Sequence, residues 1–139
     1  MSGSAFVDTN VLVYLFDDDS PEKQTAAREL VRQETAAGRA VLSTQVLQEF
    51  YVAITRKLAL PVPPPTALQA LADLRALPVV QVDKDLVLRG ARRSQAGDFS
   101  FWDALIVEAA LQARATTLWT EDLQHGQTVE ALRIANPFR

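Results

Sequence analysis

A chain of 139 residues, 48% of them apolar, suits one compact domain, expected over residues 1–139, that buries roughly two-thirds of its unfolded surface. A formal net charge of −3 argues against strong non-specific attraction to phosphate backbones, and the lack of cysteine excludes a disulfide framework or a thiolate metal site. The expected home is a reducing compartment, the cytoplasm: Met1 to Ser4 lack the pattern of an export leader, and no apolar run approaches the ~18 residues of a membrane span.

Ala5, Phe6 and Val7 form a short apolar run that predicts a buried strand, and Asp8, Thr9 and Asn10 follow it with side chains that cap helices. Asp8 therefore falls at a strand's C-terminal end, where open α/β sheets bind ligands; it can also simply cap the next helix. Asp17 to Asp19 read as an acidic loop. Ser20 and Pro21 then open a helix expected to run to Ala37, with Gly38 as its stop. Ala40 to Leu42 predict a second strand, and Ser43 or Thr44 caps a helix over Gln45 to Lys57. On that helix Val46, Leu47, Phe50 and Ile54 share one side, Gln45, Gln48 and Arg56 lie opposite, and Glu49 falls at the polar edge, where a solvated glutamate is the plain reading.

Pro61 to Pro65 holds four prolines in five residues and is expected to be a stiff extended loop that prevents a helix. A helix over Thr66 to Ala76 follows, then a strand with Val79, Val80 and Val82, and Asp83 as the cap of a helix over Lys84 to Ala96. Arg89, Arg92 and Arg93 concentrate basic charge on that helix, as a solvated face or as an RNA contact. Ser100 to Ala113 is apolar nearly all round, so its helix belongs in the interior, with Glu108 and Gln112 expected to share the solvent side. Asp103 lies roughly opposite, where a carboxylate must be capped, paired, protonated or bound to a cation. Ser100 stands at capping-box spacing and offers a purely local solution. Thr116 to Trp119 predict a fourth strand ending in Thr120, Glu121 and Asp122, which repeats the pattern around Asp8. His125, beside Gly126 in a loop with no second histidine, makes a poor metal ligand, and Ala131 to Ala135 predict a last edge strand.

Alternating strands and helices imply an α/β fold with a parallel sheet and right-handed crossovers covered on both faces. Several carboxylates converging at one end would raise one another's pKa values unless a cation joined them, and hard oxygen donors favour Mg²⁺ or Mn²⁺. Such an ion supports phosphodiester hydrolysis. The strings Phe6 to Asn10 (Phe-Val-Asp-Thr-Asn), Gln48 to Phe50, Ser100 to Ile106 and Thr120 to Gly126 together resemble the PIN-domain ribonucleases, and more narrowly the VapC-type toxins of bacterial toxin–antitoxin pairs. The resemblance implies a three-layer fold with a central parallel sheet of four to five strands flanked by helices. It implies that Asp8, Glu49, Asp103 and Asp122 form the acidic cluster for Mg²⁺ or Mn²⁺, with Asp8 and Asp103 as direct ligands and Asn10 and Thr120 in support, so that Glu49 faces a pocket rim. It further implies metal-dependent hydrolysis of RNA to 5′-phosphate and 3′-hydroxyl products, a small antitoxin partner and a homodimer; no membrane association is expected from the lack of a long apolar run.

Three other readings are weaker. An aspartate-nucleophile phosphatase wants a second aspartate two residues after Asp8, where Asn10 stands. A phospho-receiver module wants paired acids after the first strand and a lysine after a later one, and Trp119 to Glu121 offer none. A non-catalytic acidic-pocket binding module predicts that neutralising Asp8 and Asp103 leaves metal affinity unchanged.

Overall fold

The computed structural model describes residues 3–139. β1 (Ser4–Val7) emerges buried, and Asp8 ends it by capping the short α1 (Thr9–Tyr14). α2 (Pro21–Ala36) starts with proline at its first position, where no intrahelical donor is lost, and is followed by Gly38 at φ +71°, a left-handed conformation suited to glycine. β2 (Ala40–Ser43) leads directly into α3 (Thr44–Val52), whose first turn is capped by the Ser43 hydroxyl accepting from the Val46 amide.

The helix expected to continue to Lys57 instead widens into a π-helical turn over Ala53–Lys57. Two local features account for it. Thr55 Oγ1 donates back to the Tyr51 carbonyl at 2.7 Å, a contact that competes with the helical ladder, and the Ile54 carbonyl accepts from the Val62 amide at 2.8 Å. The proline-rich stretch does not exclude a helix either. α4 (Pro64–Leu74) begins inside it, because prolines in a first turn give up only donors that would be orphaned anyway.

β3 is shortened to Val79–Val80 and excludes Val82, whose amide donates to the Thr44 hydroxyl at 3.0 Å. α5 (Lys84–Ala96), capped by Asp83, packs along α6 (Phe101–Gln112), and β4 (Ala115–Trp119), β5 (Thr128–Val129) and β6 (Leu132–Ala135) complete the chain.

Among the described residues six strands form one sheet in the order β3-β2-β1-β4-β6-β5, parallel except where β5 turns back on β6. This is one strand more than the largest sheet expected. The last predicted strand is also not an edge, since β6 lies between β4 and a two-residue β5 too short to show a period in sequence. Right-handed crossovers place α1 to α4 on one face and α5 and α6 on the other, in keeping with α1 packing on α2 and α3. Phe6, Leu42, Leu118 and Ile134 from the strands meet Phe50 and Ile106 from the helices in the core. Among the described residues no helix is long and apolar enough to cross a membrane.

The connectivity locates the functional end. From β1 the chain moves outward through β2 to β3, then returns across β1 to build β4 on its other side. The order reverses between β1 and β4, and a crevice opens beyond their C-terminal ends.

Candidate active site

Asp8 sits at that reversal, tied to β4 by its amide donating to the Trp119 carbonyl at 3.0 Å. The residue is only 6% exposed. One oxygen accepts from the Thr9 amide at 2.7 Å; the other accepts from the Thr120 hydroxyl at 2.8 Å and, more weakly, from Asn10 Nδ2 at 3.4 Å. Burial pushes its pKa up to about 6, opposed by the Thr120 and Thr9 hydrogen bonds and reinforced by the negative charges of Asp122 and Glu49. The cap role and a working-carboxylate position thus fall on the same residue.

Asn10 stitches the two strand ends together. Its Nδ2 also donates to Thr120 Oγ1 at 3.2 Å and to Asp122 Oδ2 at 3.0 Å, while its Oδ1 accepts from the Glu121 amide at 3.2 Å. Thr120 is fully buried and, besides donating to Asp8, accepts from the Asp122 amide at 3.1 Å. Glu121 leaves the cluster: its carboxylate meets Lys23 Nζ and the Tyr14 hydroxyl, each at 2.6 Å. Partial burial pushes its pKa up, but those two donors outweigh it and the net shift is downward.

Glu49 is exposed on the rim, yet both its oxygens are held. Thr9 Oγ1 donates to one at 2.8 Å, and Gln45 Nε2 donates to the other at 3.2 Å. Gln45, expected on the solvent side of its helix, is buried; its Nε2 also donates to the Trp102 carbonyl at 3.2 Å, linking α3 to the start of α6. The sequence marks neither Thr9 nor Gln45 as a site residue. Thr9 lies inside the Asp-Thr-Asn string, and Gln45 stands four residues before Glu49, the spacing of neighbours on a helix.

Asp103 is half-buried in the first turn of α6, where its amide donates to the Ser100 hydroxyl at 3.1 Å. Desolvation raises its pKa, opposed by Ser100 and reinforced by Asp122 and Glu49. The structure therefore brings Asp8, Glu49, Asp103 and Asp122 to one end of the sheet, with Asn10 and Thr120 between them. None of the four acids takes part in an ion pair among the described residues.

This donor set suits a hard divalent cation: all oxygen, with two carboxyls raised by burial and mutual repulsion. Yet among the described residues no three acidic or histidine side chains are drawn together tightly enough to hold one as they stand. Neutral donors fix the acids where they stand: Thr9 and Gln45 hold Glu49, and Asn10 Nδ2 bridges Asp8 and Asp122. His125 is exposed, and its Nδ1 accepts from the Asn136 amide at 2.9 Å, which leaves it a structural role in its loop. A cavity of about 590 Å³ beside the cluster is lined by Asn10, Tyr14, Glu49, Ala53, Lys57 and Asp122, among others.

The arginines stand elsewhere. Arg93 pairs with Glu108 and Glu130, and Arg89 pairs with Glu108 at 3.4 Å. Glu108, expected on a solvent face with Gln112, is 8% exposed, because α5 covers that side of α6. Arg92 is exposed and in no ion pair among the described residues.

A mostly parallel α/β sheet with carboxylates gathered at its strand-order reversal defines an α/β protein with an acidic crevice. The chain belongs to the PIN domain family, whose model matches residues 5–130. Among solved structures it is similar to VapC20 of Mycobacterium tuberculosis, a sarcin-ricin loop cleaving toxin, at 21% identity over 86% of this chain and 92% of that one, with a TM-score of 0.66. A toxin–antitoxin complex from Klebsiella pneumoniae aligns at 18% identity over 96% and 98% of the two chains, with a TM-score of 0.72. VapBC from Salmonella typhimurium, bound to DNA, aligns at 18% identity over 97% and 98%, with a TM-score of 0.65. At these identities the likeness is one of fold. No curated protein sequence matches the chain.

Proposed function

We propose that the protein is a divalent-metal-dependent endoribonuclease, the toxin of a toxin–antitoxin pair. The observation that carries this reading is Asp8: a residue 6% exposed at the sheet's reversal, its pKa raised to about 6, with three further acids at the same end and, among the described residues, no cationic side chain paired to any of the four. Such an arrangement costs stability unless a cation joins it. Asp8 and Asp103 would hold Mg²⁺ or Mn²⁺, with Glu49 and Asp122 beside them. A bound ion of this kind lowers the pKa of a water and offsets charge on phosphoryl oxygens.

The chain's own groups do the rest. Thr9, Thr120 and Asn10 fix the Asp8 carboxylate so that neither oxygen can swing away. Glu49 and Asp122, exposed and among the described residues hydrogen-bonded only to neutral donors, would accept a proton from the attacking water at a carboxylate oxygen. Attack on phosphorus with loss of the 3′ oxygen leaves a 5′-phosphate and a 3′-hydroxyl. Arg92 remains available for the RNA backbone, while Arg89 and Arg93 would contribute what charge Glu108 does not offset. The toxin–antitoxin complexes among the structural neighbours support an antitoxin as partner.

Induced expression of the chain alone in bacteria tests the toxin role. Growth should stop with the wild type and continue with Asp103→Asn at equal protein level. Growth that stops equally with both would contradict the proposal.

A further inference from the structure

An acidic nuclease must hold a polyanion next to its own carboxylates, and the arginine-bearing helix is a poor candidate for that task at the site itself. Arg89 and Arg93 are engaged with Glu108, and the cavity of about 530 Å³ that these arginines line does not include any of the four clustered acids. Lys23 is likewise taken, by Glu121. The acidic cavity nevertheless contains one basic residue among those lining it, Lys57, which is exposed and in no ion pair or side-chain hydrogen bond among the described residues.

The π-helical turn explains how Lys57 reaches that cavity. In a regular α-helix each step of four residues overshoots a full turn by about 40°, so Lys57 would drift round from the line of Glu49 and Ala53. A turn that bonds five residues back is wider, and it delays that drift over Ala53–Lys57. Glu49, Ala53 and Lys57 consequently line the same cavity. The turn is maintained by Thr55 and by the Val62 amide, so it is built by the sequence, and such interruptions of α-helices recur at functional sites.

We infer that Lys57 is the phosphate-contacting residue of the acidic cavity, gripping the backbone of the RNA strand that crosses the four acids. The inference rests on the ribonuclease reading and adds a residue that none of the four sequence motifs contains. An ammonium is suited to the role: it contacts any phosphate as a point charge without demanding one geometry, in keeping with recognition of a backbone rather than a base.

The test is binding of a fluorescein-labelled single-stranded RNA oligonucleotide, followed by anisotropy over a range of potassium chloride concentrations. Wild type, Lys57→Met and Lys57→Arg would be compared, with melting temperatures measured alongside. Lys57→Met should fold normally, bind about tenfold more weakly at low salt, and show a log–log salt slope shallower by about 0.7. Lys57→Arg should keep both affinity and slope. Equal affinity and slope for wild type and Lys57→Met would overturn the inference and leave the ribonuclease reading standing. So would a weaker Lys57→Met whose slope is unchanged, since the lost contact would then not be ionic. Failure of the wild type to bind RNA at all would overturn both.

Discussion

Asp8 carries a consequence that can be measured without any substrate. Its pKa in the folded state, about 6, lies above the 3.8 of a free aspartate, so the folded protein binds the proton more tightly than the unfolded chain does. The stability this provides is fully present below about pH 4 and is lost as pH rises through about 6, an effect of roughly 3 kcal/mol in metal-free protein. Urea unfolding in EDTA should show that decline in wild type and a much flatter profile in Asp8→Asn. Added Mn²⁺ should restore stability above pH 6 in wild type only, because it binds the ionised folded state. Thr9 offers a second test at this scale. Its amide holds Asp8 and its hydroxyl holds Glu49. Thr9→Val keeps the amide and the shape but releases one Glu49 oxygen, leaving only the Gln45 contact on the other, and should lower RNA cleavage by roughly tenfold with little change in melting temperature. Thr9→Ser should cleave nearly as wild type does.

The element that positions Asp103 is α6, and its depth depends on how closely α5 lies against it. Gly90 marks the crossing: a Cβ there would meet Leu105 Cδ2 at 2.6 Å, and Leu105 is itself 3% exposed, so it has little room to yield. Gly90→Ala should therefore destabilise the protein by about 1–2 kcal/mol in spite of the better helix propensity of alanine, as thermal or urea unfolding would report. The same pair of helices shows what the sequence could and could not disclose. Periodicity identified α6 as an interior helix and Ser100 as its cap, because both are local facts. It assigned Glu108 to solvent, since nothing in α6 alone reveals that α5 brings Arg89 and Arg93 to meet that carboxylate. Gln45 was misplaced for the same reason: its partners, the Trp102 carbonyl and Glu49, come together only when α3 and α6 converge. The π-helical turn and the two-residue β5 fall below the length at which a period can be recognised.

On the scale of the whole molecule, the strand order does most to create the site. Each acid follows a strand or stands on a helix near the sheet's C-terminal end, and the reversal between β1 and β4 brings Asp8 beside Thr120 although 112 positions separate them. Chain order alone made that end legible, because a strand followed by Asp-Thr-Asn and another followed by Thr-Glu-Asp point to the same edge of a parallel sheet. What chain order could not supply is the hydrogen-bond network that holds the acids in place, nor the division of labour among the basic residues. That division leaves an overall acidic protein with little unpaired positive charge near the acidic cluster, where the proposed divalent cation would supply the counter-charge. The most direct test of that proposal is cleavage of end-labelled total RNA by the purified protein in Mg²⁺, in Mn²⁺ and in EDTA, beside Asp103→Asn under the same conditions. Discrete products carrying 5′-phosphates should appear with either metal and vanish in EDTA and in the variant. Identical patterns from wild type and Asp103→Asn, or products undiminished by EDTA, would contradict it.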